Sequence, residues 1–417
     1  MKRIKIILLL LLVSIPVLAQ GGSIYSGFGI GDLRTSYSAR RFAMGEMGIA
    51  LSDVDYLNSM NPAGWNSLRL TRFELSMNYA GSNIQSSTSS AYYSKAGLNG
   101  MMLGFPLEHD LGLSLTLGQV PYSQVGYEIK NNVNDPIVGN YDFSDKGEGG
   151  ISKLFIGTSY RLPFDFSIGL SYDYYIGRIT HSLVADFNDT TAFNDATFDK
   201  ETSYHGMSLT TGIISSDISK LFGSTEFKDF RIGLVFTPSV TLSADSVDNS
   251  TTSLGIITTS TGSTKNNLPY KLGIGTTFKY TNNYTFTLDY LYQPFSEYTA
   301  NGKKDVNLQN YYKLGLGFEY RNLDTRSNAF WDHVMYRAGL SFEQTPFKVK
   351  GTGVNQYSIY CGMSLPIRSY NTIDNTVDLA FQYSRRGTTD NNLLLENIYK
   401  FTVTVSIGEF WFLRPDR

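Results

Sequence analysis

The sequence predicts an all-β fold, an antiparallel transmembrane β-barrel of about 14 strands with an N-terminal plug, or hatch, inside its lumen. Three observations predict it. Segments of about ten residues alternate apolar with polar side chains, aromatic residues mark the ends of the apolar faces, and connections alternate between short and long.

The N-terminus supplies an address. Lys2, Arg3 and Lys5 precede the apolar run Ile6 to Val13, and Val17-Leu18-Ala19 fits a cleavage site before Gln20, so residues 1–19 are expected to be a signal peptide. The run falls short of the roughly 20 apolar residues of a membrane helix. No Cys at the cleavage point offers a lipid anchor. A leader of this kind fits a secreted, periplasmic or outer-membrane protein.

Composition narrows the class. In 417 residues, charged side chains make up only 17% while aromatics reach 14%, with 29 Tyr, a residue suited to membrane interfaces because one end is apolar and the other wet. The formal net charge is −2 and no basic stretch stands out, which argues against a nucleic-acid partner. Cys361 is the single cysteine, so an internal disulfide is excluded. His109, His181, His205 and His333 lack ligand spacing, and no metal site or other cofactor is expected. No nucleophile elbow accompanies the Ser, His and Asp residues, so no catalytic residues are assigned and the chain is not expected to be an enzyme.

Alternation identifies the strands. Tyr270, Leu272, Ile274, Phe278 and Tyr280 share one face against Lys271, Gly273, Gly275, Thr277 and Lys279. After Thr281-Asn282-Asn283 the pattern resumes with Tyr284, Phe286, Leu288, Tyr290 and Tyr292. Tyr312 to Tyr320 and Tyr336 to Phe342 repeat it, with Gly and mixed charges on the polar face. A soluble sandwich alternates too, but its strands average five or six residues and lack aromatic girdles around an aliphatic band.

Candidate strands fall near 69–80, 97–107, 111–122, 149–162, 166–178, 202–215, 230–242, 269–280, 284–295, 310–320, 334–345, 355–366, 376–385 and 398–412. The count is even, as bacterial barrels require. Short connections at 108–110, 163–165 and 281–283 follow even-numbered strands and read as periplasmic turns. Long polar stretches at 124–148, 179–201 and 243–268 follow odd-numbered strands and read as outer loops. The organisation expected is a hatch at 20–68, a barrel at 69–412 and a periplasmic tail at 413–417.

The segment before the first strand breaks the alternation. It is Gly-rich, with a short helix expected around Ala39 to Met44, and its Gly27-Phe28-Gly29-Ile30-Gly31 lacks the Lys and βαβ context of a phosphate cradle. A plug on the periplasmic side of the lumen accounts for its length.

Two runs there, Met44-Gly45-Glu46-Met47-Gly48-Ile49-Ala50-Leu51-Ser52-Asp53 and Asn61-Pro62-Ala63-Gly64, resemble the FadL-like long-chain fatty-acid transporters of the outer membrane. Leu268 to Gly275 and Tyr336 to Leu340 are similar as well, so the resemblance covers most of the mature chain. The tail departs from it, since Leu413-Arg414-Pro415-Asp416-Arg417 follows Phe410-Trp411-Phe412. The resemblance implies a hatch carrying the Asn61, Pro62, Ala63, Gly64 motif, location in the bacterial outer membrane, and passive uptake of hydrophobic small molecules such as long-chain fatty acids. It also implies a lateral exit at a distorted strand. Gly118, Pro121 and Gly126 are the candidate gate, because Pro removes a ladder donor and Gly favours bulges; the alternative is that Pro121 ends its strand. Arg337 and Lys313 are candidate carboxylate partners, and Phe155, Tyr175 and Tyr360 candidate apolar lining. The competing role for these inward residues is to pair with one another and to fill space against the hatch. Expected partners are outer-membrane lipids, a hydrophobic small-molecule ligand and the barrel-assembly machinery for insertion. A FadL-like barrel serving as a protein-secretion component or scaffold, type IX secretion-like and bound to secretion components, is the alternative, and a diffusion porin the third.

Overall fold

The computed structural model describes residues 22–137, 139–187, 194–223, 226–253, 255–322, 329–367, 375–390 and 393–410. The expected leader at 1–19 and tail at 413–417 lie outside them.

The chain is a closed antiparallel barrel of 14 strands. In order they are β1 (Thr71–Gln85), β2 (Ser90–Glu108), β3 (Leu113–Asp135), β4 (Gly139–Arg161), β5 (Ser167–Phe187) and β6 (Ala196–Ile214). Next come β7 (Phe227–Thr237 and Val240–Thr252) and β8 (Gly255–Leu268 and Lys271–Tyr280), each in two pieces beside Pro238 and Pro269, where proline withholds a ladder donor. The circuit continues through β9 (Tyr284–Gln293), β10 (Tyr311–Tyr320), β11 (Met335–Val349), β12 (Thr352–Ile367), β13 (Asn375–Gly387) and β14 (Leu395–Glu409). β14 pairs with β1 from Leu395 opposite Gln85 to Glu409 opposite Thr71, which leaves no edge at the seam.

Each expected segment is a strand, but several strands run further than expected, while β9 and β10 stay within their expected bounds. The polar stretches at 124–148, 179–201 and 243–268 are not loops in the main; they continue the ladders as hairpins, and β3 and β4 reach 23 residues each. Beyond the hydrocarbon a ladder needs no apolar face, so the hydropathy signal ends before the strand does. Residues 188–193 of the second stretch lie outside the described region.

Alternation gives the barrel two unlike surfaces. On β10, Lys313 is 0% exposed while its neighbours Leu314 and Leu316 are 42% and 46% exposed. Rings gather at the periplasmic rim, with Phe278 5.1 Å from Phe286, Phe286 5.3 Å from Phe318, and Tyr284 5.1 Å from Tyr320. An aliphatic belt bordered by aromatic rings, on a sheet closed on itself, suits a hydrocarbon layer. The protein sits in the bacterial outer membrane.

Residues 22–68 fold inside the lumen. The helix expected near 39–44 is α1 (Ala39–Ala43), whose five residues are all buried. Inward glycines let this chain lie against the wall. A Cβ at Gly233 would meet the Ala50 Cα at 2.7 Å, one at Gly362 the Ala43 Cβ at 2.6 Å, and one at Gly339 would overlap the Gly45 backbone.

Candidate functional site

The hatch is fastened first by its Asn-Pro-Ala-Gly turn. Asn61 caps the turn Pro62–Ser67, its side-chain oxygen accepting from the Ala63 N–H at 3.0 Å. Its amide nitrogen donates to the carbonyls of Ile49 at 2.9 Å, Leu234 at 3.2 Å and Ile213 at 3.3 Å, so one buried side chain ties hatch to β6 and β7 near their periplasmic ends. Added Cβ atoms at Gly212 and Gly169 would overlap Asn61 and Pro62.

Three tiers of charge then hold the hatch along the barrel axis. Nearest the periplasm, Arg40 forks onto Glu319 with two bonds of 2.8 Å and reaches Asp53 at 2.7 Å, while Arg337 donates to the same Glu319 at 2.6 Å. The Tyr56 ring lies 4.0 Å from the Arg40 guanidinium. Above them Lys313 stands between Glu46 and Glu343. At the outer tier Arg386 pairs with Asp32 at 2.9 Å and Glu396 at 3.6 Å. Burial alone would raise the Glu46 carboxyl, but Lys313 and Lys400 outweigh it and hold the group down at about 2. Burial likewise opposes ionisation of Asp53, and Arg40 with Arg321 pulls it below the ordinary range.

These contacts engage the residues expected to bind ligand. A carboxylate arriving at Arg337 or Lys313 would have to displace Glu319 or Glu46. Phe155 stacks on Trp65 of the hatch at 5.9 Å, Tyr360 meets Phe42 of α1 edge-on at 5.7 Å, and Tyr175 meets Tyr122 of β3 at 5.0 Å. The five do not converge on one pocket.

One side of the barrel is different. β2 and β3 pair only from Met101 opposite Gln119 to Glu108 opposite Leu113. Beyond that point β2 keeps its partner β1, β3 keeps β4, and the two strands diverge. Both are irregular at the point of divergence: β2 is bulged beside Gly100, which has φ 130°, and β3 breaks register against β4 between Pro121 and Ser123. The Tyr93 hydroxyl crosses to the Glu128 carbonyl at 2.9 Å higher up, so the gap is a window with a sill and a lintel. Inside it, the hatch lends β3 a substitute neighbour. Asp32 and Leu33 pair with Gln124 and Ser123, and the Arg34 N–H donates to the Tyr122 carbonyl at 2.9 Å.

Of the residues named as a gate, Pro121 borders the window and does not end its strand, which runs on to Asp135. Gly126 faces the hatch, its N–H donating to the Ser26 hydroxyl at 3.0 Å. Gly118 lies below the sill, in the intact ladder between Met102 and Phe155.

Behind the window is a cavity of about 290 Å³ between the hatch and β1, β2, β3, β4, β13 and β14. Its charged lining is Asp32, Arg34, Lys95, Arg386 and Lys400. Lys95 and Lys400 stand in one row, both opposite Ala80 of β1. Sequence reasoning passed over these two lysines. Lys400 was legible as inward, between outward Tyr399 and Phe401, but Lys95 fell just before the expected start of its strand. Among the described residues no three His, Cys, Asp or Glu side chains are grouped to hold a metal ion.

A family model described as BamG matches residues 1–416. No curated protein matches the sequence. Among solved structures, the chain is similar to the Pseudomonas putida toluene transporter TodX at 14% identity and TM-score 0.61, covering 91% of this chain and 100% of that one. The Ralstonia pickettii toluene transporter TbuX gives 13% and 0.58, covering 91% and 99%. A Pseudomonas aeruginosa FadL homologue gives 12% and 0.56, covering 90% and 98%. The chain therefore shares the FadL-like fold.

Proposed function

We propose that this chain, which belongs to the BamG family, is a passive conduit that moves hydrophobic small molecules between the cell exterior and the outer membrane. Long-chain fatty acids are among the solutes proposed. The observation that carries the reading is the window between β2 and β3, which joins a lumenal cavity to the bilayer side of the wall. A solute leaving sideways never has to cross the hatch, so a plug fixed by ion pairs is compatible with transport. The similar structures support this reading through their fold, and two of them are named as toluene transporters. No chemistry is asked of the protein; the gradient of an apolar solute between water and lipid suffices.

Filling the window tests the proposal. A Cβ at Gly97 meets nothing within 4 Å, so Gly97→Trp adds bulk beside the opening without crowding the backbone. The variant should keep its heat-dependent gel migration and lose uptake of an apolar probe into cells. Undiminished uptake would contradict the proposal.

A second reading is a scaffold in barrel assembly or protein secretion. It is favoured by the family's name, which is of the kind given to barrel-assembly components, and by a lumen occupied by an ion-paired hatch. Assembly or secretion proteins co-isolating with the native barrel, together with normal uptake of apolar solutes in cells lacking it, would favour this second reading.

A further inference from the structure

We propose that the cavity behind the β2 and β3 window is a seat for the phosphate-monoester headgroup of a single-chain amphiphile, whose chain leaves through the window into the bilayer. The inference rests on the conduit reading and names its ligand class.

Four of the five charged side chains lining the cavity are cations, and the one carboxylate, Asp32, is already paired with Arg386. Arg34, Lys95 and Lys400 are in no ion pair among the described residues, although Lys400 is only 8% exposed. Arg34 spends one guanidinium nitrogen on the Gln124 side-chain oxygen and keeps further donors. Two serines add to the deficit. Ser82 and Ser123, residues 6% and 3% exposed, line the same cavity, and their hydroxyls have no hydrogen-bond partner among the described residues. A buried cation held in no ion pair, with two half-buried cations beside it, and buried hydroxyls without partners are costly, and an anionic oxygen cluster relieves both at once. Three cations and two hydroxyl donors exceed what a carboxylate, with one charge and two oxygens, can satisfy. A phosphate monoester brings roughly −1.5 to −2 charges and three terminal oxygens.

The chain has somewhere to go. Outside the barrel, below the sill, Met101, Leu117, Leu154 and Ile156 line an apolar groove on β2, β3 and β4 that faces the membrane. A headgroup in the cavity and a chain along this groove would place the polar end among cations and the apolar end in lipid.

The test compares four probes on the purified full-length protein in neutral detergent: dodecyl phosphate, dodecanoate, dodecanol and inorganic phosphate. Dodecyl phosphate should bind about tenfold or more tighter than dodecanol, since one hydrogen bond to a charged group is worth that much, and tighter than dodecanoate. In Lys95→Gln/Lys400→Gln the ratio of dodecyl phosphate to dodecanol affinity should fall toward one. If the double variant fails to show the heat-dependent migration of a folded barrel, Arg34→Gln in the hatch serves instead, with a reduced preference expected. Equal binding of dodecyl phosphate and dodecanol to the unmodified protein would overturn the proposal but leave the conduit reading standing. Inorganic phosphate binding as tightly as dodecyl phosphate would assign the cavity to a free anion and overturn the amphiphile. Failure of all three chain-bearing probes would remove the conduit reading as well.

Discussion

Arg40 of the hatch and Glu319 of β10 meet side on, two guanidinium nitrogens each 2.8 Å from a separate carboxylate oxygen, with both residues buried. A paired fork of this kind fixes orientation as well as distance. It makes the lumen's charge a fastening for the hatch.

Arg40→Met should therefore do more harm than the loss of one contact. Glu319 would keep Arg337 but lose its forked partner, and Asp53 would lose its nearest cation. Removing one member of a buried pair costs about 3–5 kcal/mol. We expect a lower unfolding temperature in detergent and higher single-channel conductance in planar bilayers. Adding Glu319→Leu to Arg40→Met should restore none of the seal, because Arg337 then loses its nearer carboxylate and keeps only Asp378 at 3.8 Å.

Asn61 separates shape from hydrogen bonding. Asn61→Asp keeps the capping oxygen but aims a carboxylate at the carbonyls of Ile49, Ile213 and Leu234, whereas Asn61→Ala loses the cap and leaves those carbonyls unanswered. A lost cap costs about 0.5–2 kcal/mol, and the repulsion in Asn61→Asp should cost more. Conductance should rise in the order native, Asn61→Ala, Asn61→Asp.

The inward glycines predict position-dependent tolerance. Gly339→Ala drives a methyl into the Gly45 backbone and should cost about 1–3 kcal/mol, while Gly97→Ala, with nothing within 4 Å, should be close to neutral. Paired thermal melts in one detergent check the contrast. Equal effects would mean that the hatch does not press on the wall.

Acid should loosen the hatch late. Glu46 titrates at about 2 instead of its ordinary 4.5, so the stability that its charge adds is complete above 4.5 and is lost as the pH falls through about 2. Protease sensitivity of the hatch should stay low at pH 4 and rise near pH 2. In Glu46→Gln the hatch should be more sensitive at neutral pH, with this acid step reduced.

The barrel was legible because its signal is local and repeated. Leu314 and Leu316 against Lys313 announce inside and outside without any knowledge of partners, and the even count follows from the repetition. Strand ends were less legible, because β3 and β4 continue for many residues where no bilayer demands alternation. Asn61 was readable as a turn residue, yet its reach to Ile213 and Leu234 spans 152 and 173 positions of sequence. The window was half legible. Pro121 marked the strand, but the divergence also depends on β2 being bulged beside Gly100, and only pairing shows that. Charge carried the least site information: Arg337 and Lys313 looked available until Glu319 and Glu46 came beside them, while Lys95 and Lys400 drew no notice because lack of a partner is a property of three dimensions.

An amphiphile held in the window between β2 and β3 would have its chain end fixed at one place on the barrel wall. Anomalous diffraction from crystals soaked with an amphiphile brominated at its chain end reads this directly. One ordered bromine is expected near Met101, Leu117 or Ile156, outside the sill, with headgroup density reaching through the gap toward Lys95 and Lys400. Ordered bromine inside the hatch near Trp65, or spread evenly around the aliphatic belt with an empty cavity, would contradict it.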